Sequence, residues 1–158
     1  MFRFLALAVL SGIVAAFAVP ADASLVASAT SPVASAARRS VHIDFVRYNP
    51  AGPDTGDNKH VNKEVVVITN GTRKARSLTD WTLWDRQSYV YRFRPTVLRP
   101  GRSVTVHTGN FKISPGHRYW GNDFYVWDNR GDAAILRTRA GGVVDVCRWG
   151  EGDGRRDC

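Results

Sequence analysis

The sequence predicts an all-β chain, a sandwich or barrel of about seven or eight short strands. Three observations carry this. After residue 40, apolar and polar residues alternate over short stretches, the period of a half-buried strand. Gly, Pro, Asn and Asp separate those stretches. No stretch of the same region spaces apolar residues at i, i+3 and i+4, as an amphipathic helix would.

Taken in order, Val41, Ile43 and Phe45 alternate with His42 and Asp44, which places the three apolar residues on one face of a first strand. Val65, Val66, Val67 and Ile68 form a continuous β-branched run, expected in a central strand buried on both faces. Asn70-Gly71 is a turn dipeptide. Residues 78–83, with Trp81, read as the next strand. Tyr89, Tyr91 and Phe93 alternate with Val90, Arg92 and Arg94, so the aromatics are expected inside and the two Arg outside. Pro100-Gly101 is a turn, and alternation resumes over residues 103–108. Residues 133–138 and 143–149 flank Gly141-Gly142 as a hairpin.

Two segments precede this domain. Arg3 is followed by an apolar or small run to Val19, and Ala21-Asp22-Ala23 has the small-x-small form of a signal-peptidase site. The run is shorter than the ~20 apolar residues of a membrane-spanning helix. Residues 1–23 are therefore read as an export signal, with an uncleaved anchor as the other reading and Ala16-Phe17-Ala18 as a second cut site. The expected destination is secretion, with no stable membrane insertion after cleavage. Residues 24–40 are mostly Ser, Ala, Thr, Val and Pro, a linker composition, ending in Arg38-Arg39. The domain then occupies residues 41–149, with a Gly- and charge-rich tail over residues 150–158. A chain of this size buries a workable core without a metal.

Cys147 and Cys158 are the two cysteines. In an exported chain the simplest reading is a disulfide closing a small C-terminal loop. Two free thiols, or an intermolecular bridge through Cys158, are the alternatives. The formal net charge is +8, and Arg3 and Asp22 cancel, so cleavage leaves it unchanged. A basic exported domain is drawn to polyanions such as wall polymers or extracellular nucleic acid. Arg far outnumbers Lys, which occurs only at Lys59, Lys63, Lys74 and Lys112; with abundant Ala, Gly and Val this points to a high-GC bacterial genome.

Four segments occur in a telling order. Glu64 precedes the valine-rich strand that ends in Asn70; Leu78-Thr79-Asp80-Trp81 follows; then Leu98-x-Pro100-Gly101-x-Ser103-Val104; then Trp127-Asp128-Asn129-Arg130-Gly131-Asp132. In this order they resemble the lamin-tail domain family, over most of residues 41–149. The resemblance implies an immunoglobulin-like β-sandwich, an interaction module of the type found in secreted bacterial proteins, and burial of Trp81 and Trp127. With no heptad segment, it stops at the tail module. It implies no reaction.

Signatures of chemistry are sparse. The four His (His42, His60, His107 and His117) show no zinc-ligand spacing, and no Gly-x-Ser-x-Gly elbow or phosphate-binding Gly-Lys-Thr loop occurs. Glu occurs only at Glu64 and Glu151, so a paired-carboxylate hydrolase would use Asp. Asp128 and Asp132 would be the ligands if calcium sat in the Asp128-to-Asp132 loop, but Arg130 takes a ligand position there and no bidentate Glu follows. The alternative is that these Asp cap turns. Neither a resident metal nor a cofactor is expected. Arg130-Gly131-Asp132 spells an adhesion tripeptide, read here as part of the module's own pattern.

The best functional lead is basic. Arg86, Arg92, Arg94, Arg99 and Arg102 cluster in sequence, and Arg73, Lys74 and Arg76 can add a basic loop. Arg donates paired hydrogen bonds to phosphate. The plain alternative is a solvated outer face. The leading expectation is a non-catalytic module engaging polyanions or a protein partner. A small metal-dependent hydrolase or nuclease using loop Asp residues, and a purely structural surface protein, are the competing readings.

Overall fold

The computed structural model describes residues 40–158; the expected export signal and nearly all of the linker lie outside the described residues. The strands are β1 (Val41–Arg47), β2 (Val65–Asn70), β3 (Arg76–Ser77), β4 (Thr82–Trp84), β5 (Val90–Arg92), β6 (Val97–Leu98), β7 (Ser103–His107), β8 (His117–Tyr119), β9 (Gly131–Arg137), β10 (Val143–Gly150) and β11 (Arg155–Asp157). One short helix, α1 (Asn58–Val61), interrupts them. A five-stranded sheet runs β11-β1-β2-β7-β8, a four-stranded sheet runs β10-β9-β4-β5, and β3 pairs with β6. All pairings between these strands are antiparallel except β7 with β8. The architecture is the sandwich that the alternation predicts. Its strands are shorter and more numerous than the sequence suggests.

Residues from both sheets fill the core. Ile43, Val46, Val66, Ile68, Val104 and Val106 come from the five-stranded sheet, and Leu83, Leu136 and Cys147 from the four-stranded one. A row of rings crosses it. Phe93, Tyr91, Trp120, Trp127, Trp149 and Tyr48 contact in that order, with centroid separations of 4.9, 5.8, 5.7, 5.7 and 5.0 Å. Such separations match edge-to-face, tilted and stacked ring pairs.

Four expectations need correction. Phe45 is not on the inner face: the β1–β2 register shifts between Ile43 and Phe45, and this bulge turns Val46 inward instead. The Ile43 N–H at the bulge donates to Asp145 Oδ2 at 2.9 Å, and Phe45 lies outside under the Arg155 guanidinium, 3.8 Å from its ring centroid. Tyr89 is 45% exposed, because β5 begins only at Val90 and Tyr89 belongs to the preceding turn, ring to ring with Phe124. Trp81 is only half-buried against the core, since residues 78–81 form a turn through Asp80 at φ 64° and the strand starts at Thr82. β2 is central but not buried on both faces, as Val67 and Thr69 are half-exposed. The helix α1 escapes the sequence pattern because it is a single turn. Asp57 Oδ1 caps it by accepting the His60 N–H at 2.9 Å.

The residues after Trp149 do more than trail from the domain. β11 pairs with β1 across Phe45, Val46 and Arg47. Cys147 and Cys158 are joined as a disulfide, with Cα atoms 5.6 Å apart. Because Cys147 lies on β10 and Cys158 directly follows β11, the bridge ties the four-stranded sheet to the five-stranded one. Gly154 makes the return possible. Its carbonyl accepts the N–H groups of Tyr48 and Asn49 at 2.9 and 3.1 Å. Its φ is 89°, and a Cβ there would fall 2.1 Å from the Asn49 carbonyl oxygen.

Candidate anion-binding cleft

One end of the sandwich is organised by Asn70. This fully buried side chain donates from Nδ2 to the carbonyls of Lys74 and Leu98, both at 2.9 Å, and accepts from Thr72 N–H and Oγ1. Its own backbone binds Gly101 and Arg102. The turn after β2 is thereby tied to the turn between β6 and β7, and the pairing of Arg76 with Leu98 continues the link. Arg73, Lys74, Arg76, Arg99 and Arg102 thus share one end.

Beside this end lies a cleft of about 400 Å³, lined by residues 96–99, 102–104, 115–116 and 118. Leu98 and Val104 are buried and apolar, while Val97 is 64% exposed. Three of the lining residues are Arg99, Arg102 and Arg118, and none is acidic. Among the described residues no carboxylate pairs with these three guanidiniums; the ion pairs are Arg130 with Asp128, Arg139 with Asp80 and Arg155 with Asp157. Arg118 is held in place. Its Nε donates to Thr96 Oγ1 at 3.1 Å and its Nη1 to the carbonyls of Ser114 and His117 at 3.2 and 2.8 Å. Arg118 and Arg94 also act on the Tyr91 hydroxyl: burial raises its pKa, and the two cations oppose that rise.

The other basic residues expected in the cluster are elsewhere. Arg86 sits in the β4–β5 turn, where its backbone N–H donates to Asp132 Oδ1 at 3.0 Å. Arg92 is on β5 and donates from Nη1 to the Asp80 carbonyl at 3.2 Å. Arg94 is exposed just beyond β5. A run of residues close in sequence is thus split, and only Arg99 and Arg102 line the cleft. Arg118 was invisible to sequence reasoning. It arrives through the parallel β7–β8 pairing, which sets Arg118 opposite Val106, and no local pattern announces that return.

The loop carboxylates are engaged by backbone. Asp132, 1% exposed, accepts the N–H groups of Arg86 and Ala133 on Oδ1 and of Asp128 on Oδ2. Asp128 Oδ1 accepts the Arg130 N–H at 2.8 Å and lies 3.8 Å from the Arg130 Nε. Both behave as turn caps. Among the described residues, no three or more His, Cys, Asp or Glu side chains are grouped to hold a metal.

The histidines fall into separate settings. His42 contacts the Ser40 carbonyl at 3.1 Å. His60 is buried with Nδ1 2.7 Å from the Tyr125 hydroxyl. His107 and His117 meet nitrogen to nitrogen at 3.0 Å on the outer face of β7 and β8, with Tyr119 stacked on His107. Burial lowers the His107 pKa and His117 adds to that, against the Asn62 carbonyl at 2.8 Å, which favours the charged form. The ring centroids are 5.3 Å apart, close to the nitrogen separation plus two ring radii, so the rings meet head-on as a hydrogen-bonded pair.

A family model described as Lamin Tail Domain matches residues 34–151, most of the chain. The chain belongs to the lamin tail domain family. A search of curated proteins gave no match. The lamin tail domain is an immunoglobulin-like interaction module, and this one carries an unneutralised arginine cleft at one end of its sandwich.

Proposed function

We propose that this lamin tail domain is an exported, non-catalytic module that binds polyanions through its Asn70-organised basic end. The observation that carries the reading is the cleft itself: Arg99, Arg102 and Arg118 face it with no carboxylate among its lining residues. Guanidiniums without a carboxylate partner are available for phosphate or sulfate: Arg99 and Arg102 can each donate paired hydrogen bonds, and Arg118 can donate from Nη2. Arg73, Lys74 and Arg76 extend the positive surface, and the net charge of +8 attracts anionic polymers at longer range. Export is supported by the signal-like residues 1–23 and by the disulfide, which suits an oxidising compartment. Among the described residues no helix is long and apolar enough to cross a membrane. Extracellular nucleic acid and wall polymers are the polyanions such a protein meets.

Retention of the purified protein on immobilised heparin tests this reading. Binding at low ionic strength that is released progressively by salt supports it. Flow-through at low salt contradicts it.

A further inference from the structure

We infer that the cleft holds a terminal phosphate monoester, so that the protein recognises phosphorylated ends more tightly than the interior of a polymer. This deepens the polyanion reading and rests on it. A monoester carries close to two negative charges and three acceptor oxygens at neutral pH. The cleft is lined by three arginines from two separate segments. Arg99 and Arg102 stand at the two ends of one tight turn, closed by the Arg102 N–H to the Arg99 carbonyl at 3.1 Å. Arg118 comes from β8.

Arg118 is also preorganised. With Nε and Nη1 committed to Thr96, Ser114 and His117, only its Nη2 edge is left to a ligand, and its orientation is fixed before binding. The chemistry of the lining separates an end from a chain interior. A phosphodiester offers two free oxygens and drags an arm out on each side. Here buried Leu98 and Val104, with Pro115 and Gly116, complete the lining around the three arginines. A group with one organic substituent brings three acceptor oxygens to the arginines and leaves a single arm to accommodate, for which exposed Val97 offers an apolar contact. The volume of about 400 Å³ falls within the range of small-ligand sites.

The test uses the full chain and two probes. Phenyl phosphate is titrated calorimetrically, and a single-stranded oligonucleotide is compared with a 5′-phosphate and with a 5′-hydroxyl. The expected result is phenyl phosphate binding and a preference of about tenfold or more for the phosphorylated end. Arg118→Ala and Arg102→Gln each abolish that preference and weaken heparin binding as well, whereas Arg86→Ala, outside the cleft lining, leaves both unchanged. Arg102→Gln lies on a turn and serves if Arg118→Ala loosens β8. Equal binding of the two oligonucleotides, with heparin binding intact, overturns the end-recognition inference alone. Loss of heparin binding in the wild type at low salt overturns the polyanion reading as well.

Discussion

Glu64 Oε2 accepts the backbone N–H of Val126 at 3.0 Å, linking the start of β2 to a loop 62 positions later. The carboxyl is fully buried, and burial pushes its pKa up to about 8, with the Val126 N–H pulling the other way. It therefore remains largely protonated at neutral pH, and it holds the 126–127 segment against the core where Trp127 packs.

The linkage has a definite sign. The unfolded chain releases this proton near pH 4.5 and the folded chain near 8. Between those values the folded state binds more protons, so stability falls as pH rises through the window and is fully retained below 4.5. Urea midpoints measured from pH 5 to pH 9 should decline in the wild type and decline less in Glu64→Gln, which keeps the shape without the titration. Parallel declines in both proteins would remove Glu64 as the cause.

The inter-sheet bridge makes a second prediction. Constraining a loop of this length is worth about 3 kcal/mol by chain entropy. Cys158→Ser should lower unfolding stability by about that amount, and hydrogen exchange should speed first in β11 and in its β1 partners, Phe45 to Arg47. The four-stranded sheet should stay protected. Unchanged exchange in β11 would mean that Gly154 and the β1 pairing hold the strand alone.

The two Trp residues singled out by the sequence should differ. Trp127 is 3% exposed and touches both Trp120 and Trp149, so Trp127→Ala removes the middle of the ring row at about 3–5 kcal/mol. Trp81 is half-buried at a turn and should cost less. Thermal or denaturant unfolding of the two variants checks the order; a larger loss for Trp81→Ala would reverse it.

Alternation found β7 because that strand has one wet face and one dry face, and period two then reads directly as burial; β9 and β10 were legible from the Gly141-Gly142 turn between them. It failed at Phe45 because a bulge inserts one residue, and what holds the bulge is the bond from Ile43 to Asp145, 102 positions apart. It failed at Tyr89 because the strand is too short to include it. The family signature was legible, since the Glu64-to-Asn70 stretch and the Trp127-to-Asp132 stretch carry contacts specific enough to need those residues. Glu64 binds the loop, Asn70 clamps two turns and Asp132 caps three N–H groups. The site was only half legible. Arg99 and Arg102 were expected, but Arg118 depends on a parallel pairing that leaves no local trace, while Arg86 lies on the β4–β5 turn and Arg92 donates to the Asp80 carbonyl.

The most direct test of the central claim is affinity for duplex DNA over a salt series, for wild type and for the double variant Arg99→Ala with Arg102→Ala. Each phosphate contact contributes about −0.9 to the slope of log affinity against log salt. The account predicts a steep negative slope for the wild type that flattens by about two units in the double variant. Arg86→Ala, on a turn away from the cleft, should leave the slope unchanged. Equal slopes for wild type and double variant, or a loss equally large in Arg86→Ala, would contradict the cleft as the site of binding.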